Sequence, residues 1–204
     1  MPKQKQKKEP RYYNNILIES DEEMYAIMWM QELKDKGIIR SFERAETFEL
    51  SKPLKHEYTK TTQLKTKVKT ESKTQTLLHE CSYTPDFVIV WNENDGKFVD
   101  NMTDMIGEMY SNVLISNQLM GMHVTYVEVK PTYDQNGKEQ YFKLNQKWLW
   151  ADKGIFVNLF KPQIIFNATF TPNAYLITAK TGKARKGKKV SHNIRSLEQY
   201  LSHE

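Results

Sequence analysis

Two short apolar segments carry charge where a buried strand would carry none. Tyr83-Thr84-Pro85-Asp86-Phe87-Val88-Ile89-Val90-Trp91 holds one aspartate. Val124-Thr125-Tyr126-Val127-Glu128-Val129-Lys130 holds a glutamate and a lysine. An ionised carboxylate in a core is costly unless something pairs with it. Alternate residues of a strand share a face, so Glu128 and Lys130 point the same way, at the strand end beside Pro131. If the two strands are neighbours, Asp86 and Glu128 can face one divalent cation. Oxygen-only ligation suits Mg²⁺, or Mn²⁺, rather than zinc. Lys130 then lies close to a phosphate oxygen or an attacking water. The chemistry these residues suggest is metal-dependent hydrolysis of a phosphodiester. The plainer alternative is that Asp86 caps a turn while Glu128 and Lys130 form a solvated pair.

The elements that must position these groups are legible from pattern. Ser20 and Glu23 have the spacing of a capping box, with Asp21 and Glu22 suiting a helix N-terminus. A helix is expected from there to Gly37. Ile38 to Leu50 reads as a strand or a bent strand pair. Residues 51–76, rich in Lys and Thr, suit a protruding hairpin. Leu77 to Cys81 leads towards Tyr83, and Trp91 closes the Asp86 strand before an Asn94-Asp95-Gly96 turn. Met105, Met109, Val113 and Leu114 recur at helical spacing, which predicts an inserted helix over 101–122. His123 to Lys130 is the second charged strand, followed by a turn at 134–137. Tyr141, Leu144, Trp148 and Ala151 mark a helix stripe that Gly154 ends. Ile155 to Phe160 is a short apolar strand. Strand, helix and strand over 123–160 form a crossover unit with parallel pairing. Beyond it, a strand pair is expected around Ile164–Phe170 and Ala174–Thr178, then a basic loop and a terminal helix at Ile194–Leu201. Trp29, Trp148 and Trp150 are expected in the core.

The chain has 204 residues, 39% hydrophobic and 27% charged, enough for one domain with polar additions. The division expected is a basic disordered arm over 1–15, a core over 16–162 with insertions at 51–76 and 101–122, and an extension over 163–204. Cys81 is the only cysteine, so no internal disulfide forms and a reducing compartment, the cytoplasm, is expected. The basic start, Met1 to Lys8, runs into Glu9-Pro10-Arg11 and does not read as a secretory signal. No apolar run approaches the length that spans a bilayer, so no membrane partner is expected. No Gly-rich phosphate loop is present, which disfavours an NTPase. The five histidines lack metal-ligand spacing.

The net charge of +5 favours an anionic partner mildly, and its clustering favours one more. Lys65, Lys67 and Lys69 alternate, so on a strand they would line one face and track a phosphate backbone. A second cluster, Lys183, Arg185, Lys186, Lys188 and Lys189, follows Gly182, is interrupted by Gly187 and contains no acid. Together they point to DNA.

With Pro85-Asp86 and Glu128-Val129-Lys130 in this order, the chain resembles the PD-(D/E)xK superfamily, the restriction-endonuclease-like nucleases. The resemblance covers roughly residues 16–162. More narrowly, Ser20-x-x-Glu23, Tyr83-Thr84-Pro85-Asp86-Phe87 and Phe170-Thr171-Pro172 before a basic tail are similar to phage nucleases of the Holliday-junction-resolvase type. The resemblance implies an α/β fold with a restriction-endonuclease-like core. A central mixed sheet would be flanked by helices and extended by a basic hairpin, a helical insertion and a C-terminal β extension. It implies a Mg²⁺-dependent endonuclease with catalytic Asp86, Glu128 and Lys130, and with Glu23 or Glu22 as the helix acid. Gln146 and Lys147 would be accessory polar groups. It also implies cuts leaving a 5′-phosphate and a 3′-hydroxyl, branched DNA as a substrate, location in a host cytoplasm, and a homodimer joined through the 101–122 helix. The long gap between Asp86 and Glu128 and the extra 51–76 segment depart from the family's minimal core. Two readings of other classes are a non-catalytic DNA-binding module and a phage assembly protein that retain the fold.

Overall fold

A computed structural model of the chain describes residues 10–92, 98–101, 113–133, 137–177, 183–184 and 194–202. The N-terminal end of this span is a small hairpin, β1 (Arg11–Tyr13) against β2 (Ile16–Ile18), so ordered chain begins before the expected boundary at residue 16. Ser20 then opens α1 (Asp21–Asp35), its hydroxyl accepting the Glu23 N–H at 3.1 Å. The expected capping signal holds on that side. The Glu23 carboxylate reaches back one residue further than a capping box requires, to the Glu19 N–H at 3.3 Å. Gly37, at φ +71, ends the helix as the sequence predicts, and the N–H groups of Gly37 and Ile38 close on the carbonyls of Lys34 and Leu33.

The central sheet is mixed and six-stranded. It is built from β3 (Ile39–Arg44), β8 (Phe87–Trp91), β9 (Val99–Asn101), β10 (Leu114–Leu119), β11 (Met122–Val129) and β12 (Val157–Phe160). β8 lies between β3 and β11, antiparallel to both. On its other edge, β11 pairs with β10 through its first residues and with β12, in parallel, through Tyr126 to Val129. The parallel pairing and the intervening α2 (Lys138–Lys153) are the crossover unit expected from 123–160. β10 leaves β11 where β12 joins it, and two buried asparagines close the gap. Asn158 binds both the N–H and the C=O of Ile115, each at 2.8 Å. Asn117 binds both the N–H and the C=O of Phe156, at 2.7 and 2.9 Å. Each side-chain amide stands in for a missing backbone rung, which is why a polar group is tolerated there.

The sheet separates two apolar layers. Phe87, Ile89, Val127 and Val129 face α1, where Trp29 is fully buried among the rings of Trp91, Phe98, Phe160 and Phe170. The Trp29 indole N–H donates to the Thr169 hydroxyl at 3.0 Å, so burial leaves no donor unmet. Val88, Val124, Tyr126 and Val157 face Phe142 and Leu149 of α2. Two further strand pairs lie outside the central sheet. β4 (Phe48–Ser51) pairs with β7 (Cys81–Tyr83), and β5 (Leu54–Gln63) pairs with β6 (Val68–Leu78) in an exposed antiparallel arm. Residues 38–50 thus hold two strands, β3 and β4, that pair with β8 and β7 rather than with each other, and the protruding hairpin is present.

Three expectations are corrected. Residues 114–119 form strand β10 rather than the end of a helix, and β9 ends at Asn101, so the 101–122 segment is not one helix; Met105 and Met109 lie outside the described residues. Leu114 is buried where β10 pairs with β9, and sheet pairing there overrides the helical spacing of Val113 and Leu114. The C-terminal β extension is helical instead: α3 (Pro162–Ala168) and a 3-10 turn at Asn173–Leu176 pack on α1 in place of the expected strand pair, while α4 (Leu197–Ser202) falls on the terminal helix expected at 194–201. Pro162 supports this as a first helical residue, whose missing N–H costs nothing there. Finally, only Trp29 of the three tryptophans is core; Trp148 and Trp150 are exposed on α2, because Phe142 and Leu149 carry its buried face. No described helix is long and apolar enough to cross a membrane. The 94–96 and 134–136 turn residues and the second basic cluster, except Lys183, lie outside the described residues.

Candidate active site

The sheet brings the two charged segments together at one end. β8 and β11 are direct neighbours, with Phe87 opposite Val127. Asp86 lies one residue before β8 and continues the ladder: its N–H donates to Val127 O at 3.0 Å. One oxygen of its carboxylate accepts the Val129 N–H at 2.6 Å, taking the place of a backbone carbonyl. Glu128 projects from β11 on the α2 side. Its two oxygens are held by the Tyr83 hydroxyl at 3.0 Å and by Lys130 Nζ at 2.5 Å. The shared face of Glu128 and Lys130 is the one expected from strand alternation.

Of the two acids expected on α1, Glu23 is the one that lies towards Asp86. It is buried, with relative exposure of 6%, whereas Glu22 is only half-buried. The Arg44 guanidinium pairs with the Glu23 carboxylate, donates to Leu17 O at 2.5 Å, and lies 3.9 Å from the free oxygen of Asp86. It is seated flat over the Phe87 ring, 4.4 Å from its centre. Arg44 and Tyr83 are the two residues that sequence reasoning missed. Tyr83 begins the quoted Asp86 segment, so its proximity was legible. Arg44 comes from β3, and only the pairing of β3 with β8 places it here.

The electrostatics centre on Asp86. Burial, and then the neighbouring Glu128 charge, push its carboxyl up to about 7, with Glu23 adding to the rise. The Val129 N–H and Lys130 act in the opposite direction without cancelling it. Tyr83 is also pushed well above its ordinary range, by burial and by the adjacent Glu128 charge. Asp86 therefore sits between two acids that repel it, in a site short of positive charge. That is the setting a hard cation relieves, and two carboxylates from adjacent strands are a donor set suited to Mg²⁺. Among the described residues, no group of three or more His, Cys, Asp or Glu side chains gathers to cage an ion. Asp86 and Glu128 would therefore supply two ligands, with water and phosphate as the rest, the usual manner of Mg²⁺.

Other predicted site residues fall elsewhere. Gln146 donates to Val157 O at 2.5 Å and so anchors α2 to β12. Lys147 is exposed on the outer side of α2. Lys65 and Lys67 lie in the tip between β5 and β6, not on a strand, and Lys69 on β6 is paired with Glu71. The three do not form one row, because the turn falls at 64–67. The charged side of the arm instead combines Lys60, Lys69 and Lys73, which the register places on the same side of the ribbon. Lys183 is exposed, and Arg185, Lys186, Lys188 and Lys189 lie outside the described residues. No family model, curated protein or solved structure matches the chain.

Proposed function

We propose that the chain is a metal-dependent DNA endonuclease with a restriction-endonuclease-like core, acting on branched or junction DNA. The observation that carries this reading is Asp86 held between Glu128 and Glu23, with Lys130 projecting beside Glu128. Asp86 and Glu128 meet from adjacent strands with Lys130 beside them, and Glu23 lies close enough to raise the Asp86 carboxyl further, an arrangement that costs hydration and that a cation would offset. A divalent cation on Asp86 and Glu128 would polarise the phosphoryl group and acidify a water.

The chain's own groups do the rest. The Val129 N–H fixes one Asp86 oxygen and leaves the other directed into the site. Tyr83 orients Glu128. Lys130, paired with Glu128 at 2.5 Å, would stabilise the negative charge that develops on the phosphate. Arg44 holds Glu23 in place through their ion pair. The β5–β6 arm carries Lys55, Lys60, Lys69 and Lys73 and extends over about ten paired residues, a ribbon of the size a major groove admits.

The existing occupancy of both Glu128 oxygens favours one other reading, a DNA-binding module that keeps the fold without cutting. The two separate in one experiment. Plasmid and a four-way junction are incubated with the protein in Mg²⁺, Mn²⁺ or EDTA, alongside Asp86→Asn, Glu128→Gln and Lys130→Ala. Metal-dependent cutting that falls about a hundredfold or more in each variant, with DNA binding kept, supports the enzyme. Binding without cutting in every metal supports the module.

A further inference from the structure

The outer side of α2 carries side chains that the core does not use. Tyr141, Leu144 and Trp148 form one stripe at i, i+3 and i+7, with relative exposures of 73%, 60% and 38%. Lys143, Lys147 and Trp150 form a second exposed stripe on the other flank of the same outward half, about 125° round the helix. The buried side is complete without them, since Phe142 and Leu149 already pack against Tyr126 and Val157. The two acids of the helix are engaged: Glu139 with Lys161 at 2.9 Å, and Asp152 with Lys153 at 2.7 Å. The exposed half of α2 is therefore aromatic and positive.

We infer that this side of α2 is a binding platform for single-stranded nucleic acid, beside the proposed cutting site. The inference rests on the nuclease reading for its purpose but not for its test. Flat aromatic side chains stack on unpaired bases of any sequence, while lysines one stripe away follow the phosphates. The distance fits: Tyr141 to Trp148 spans about 10 Å along the helix, roughly three nucleotides at the rise of a single strand. The position fits as well. Glu139 in the first turn is tied to Lys161, which follows Phe160, and the Phe160 carbonyl takes the Lys130 N–H at 3.0 Å. A strand lying along α2 thus leads towards Lys130, as an unpaired arm of a branched substrate would. A second copy of the chain is the less suitable occupant. A two-fold contact would set Lys143 and Lys147 against their own copies, and like charges facing each other oppose association.

The test measures binding of the full chain in EDTA, so that cleavage plays no part. A labelled oligothymidylate of roughly 20 nucleotides is compared with a duplex of equal length. Tyr141→Ala with Trp148→Ala is expected to weaken binding of the single strand by roughly tenfold to a hundredfold, and to lower the preference for single strand over duplex. Trp148→Phe retains most of the affinity, because a ring remains. Lys143→Gln with Lys147→Gln flattens the salt dependence of single-strand binding. All these positions are exposed, and unchanged circular dichroism confirms that each variant folds. Unaltered oligothymidylate binding in the aromatic double variant overturns the inference. A wild-type dimer that the same variant converts to monomer, with binding unaltered, overturns it in favour of a copy interface. Cutting activity bears on the proposed function alone, so the two readings fail separately.

Discussion

Replacing Asp86 by asparagine separates the cost of holding this carboxylate from whatever it is used for. An aspartate ordinarily loses its proton near 3.8, and here burial and Glu128 push the carboxyl up to about 7. The folded state therefore holds the proton more tightly than the unfolded chain does. The stabilising contribution is complete below about pH 4 and is lost progressively as pH rises to about 7. A gap of about three pH units corresponds to roughly 4 kcal/mol. Asparagine has the same shape, stays neutral, and can still accept the Val129 N–H through its amide oxygen. With the side chain 24% exposed, part of the strain is screened, and the measured gain should be roughly 2–4 kcal/mol. In EDTA, Asp86→Asn is expected to match the wild type at pH 4 and to exceed it by that amount at pH 8. Urea unfolding followed by the fluorescence of the buried Trp29 and Trp91 measures both. Acids away from the site contribute alike in the two proteins, so the difference reports Asp86 together with the carboxylates coupled to it. A variant less stable than wild type at pH 8, or a difference that does not change with pH, refutes the reasoning.

Two further changes probe the frame around the site. Arg44→Ala leaves the Glu23 carboxylate buried without its partner; since Arg44 is itself partly exposed, a loss of roughly 2–3 kcal/mol is expected, and adding Glu23→Gln should restore most of it in the same urea assay. If the second change instead adds to the first, the pair is not the source of the loss. Asn158→Ala removes the partner of the Ile115 N–H and the shorter of two bonds to its C=O, which the Thr125 hydroxyl also reaches at 3.4 Å, and thermal unfolding should report a loss of about 2–3 kcal/mol, well beyond that of an exposed asparagine.

The sequence by itself determined the elements whose signals are local. Ser20 with its acids and Gly37 bound α1, because capping and left-handed termination act within one turn. Threonine-rich composition marked the β5–β6 arm, and the glycine at 154 ended α2. Strand alternation placed Glu128 and Lys130 on one face before any pairing was known. The tertiary structure decided what depends on neighbours distant in the chain. Which stripe of α2 is buried depended on the sheet beneath it, so Tyr141, Leu144 and Trp148, the stripe expected inside, lies outside. Residues 114–119 became a strand because β11 and the amide groups of Asn117 and Asn158 satisfy their backbone, and a helical spacing of apolar residues has no force against that. Residues 162–168 became a helix because Pro162 starts one and α1 offers an apolar surface to cover. Arg44 joined Glu23 and Asp86 only through the register of β3 on β8. The pH behaviour of Asp86 likewise arises from packing, since an aspartate acquires a raised pKa only when burial and other carboxylates surround it.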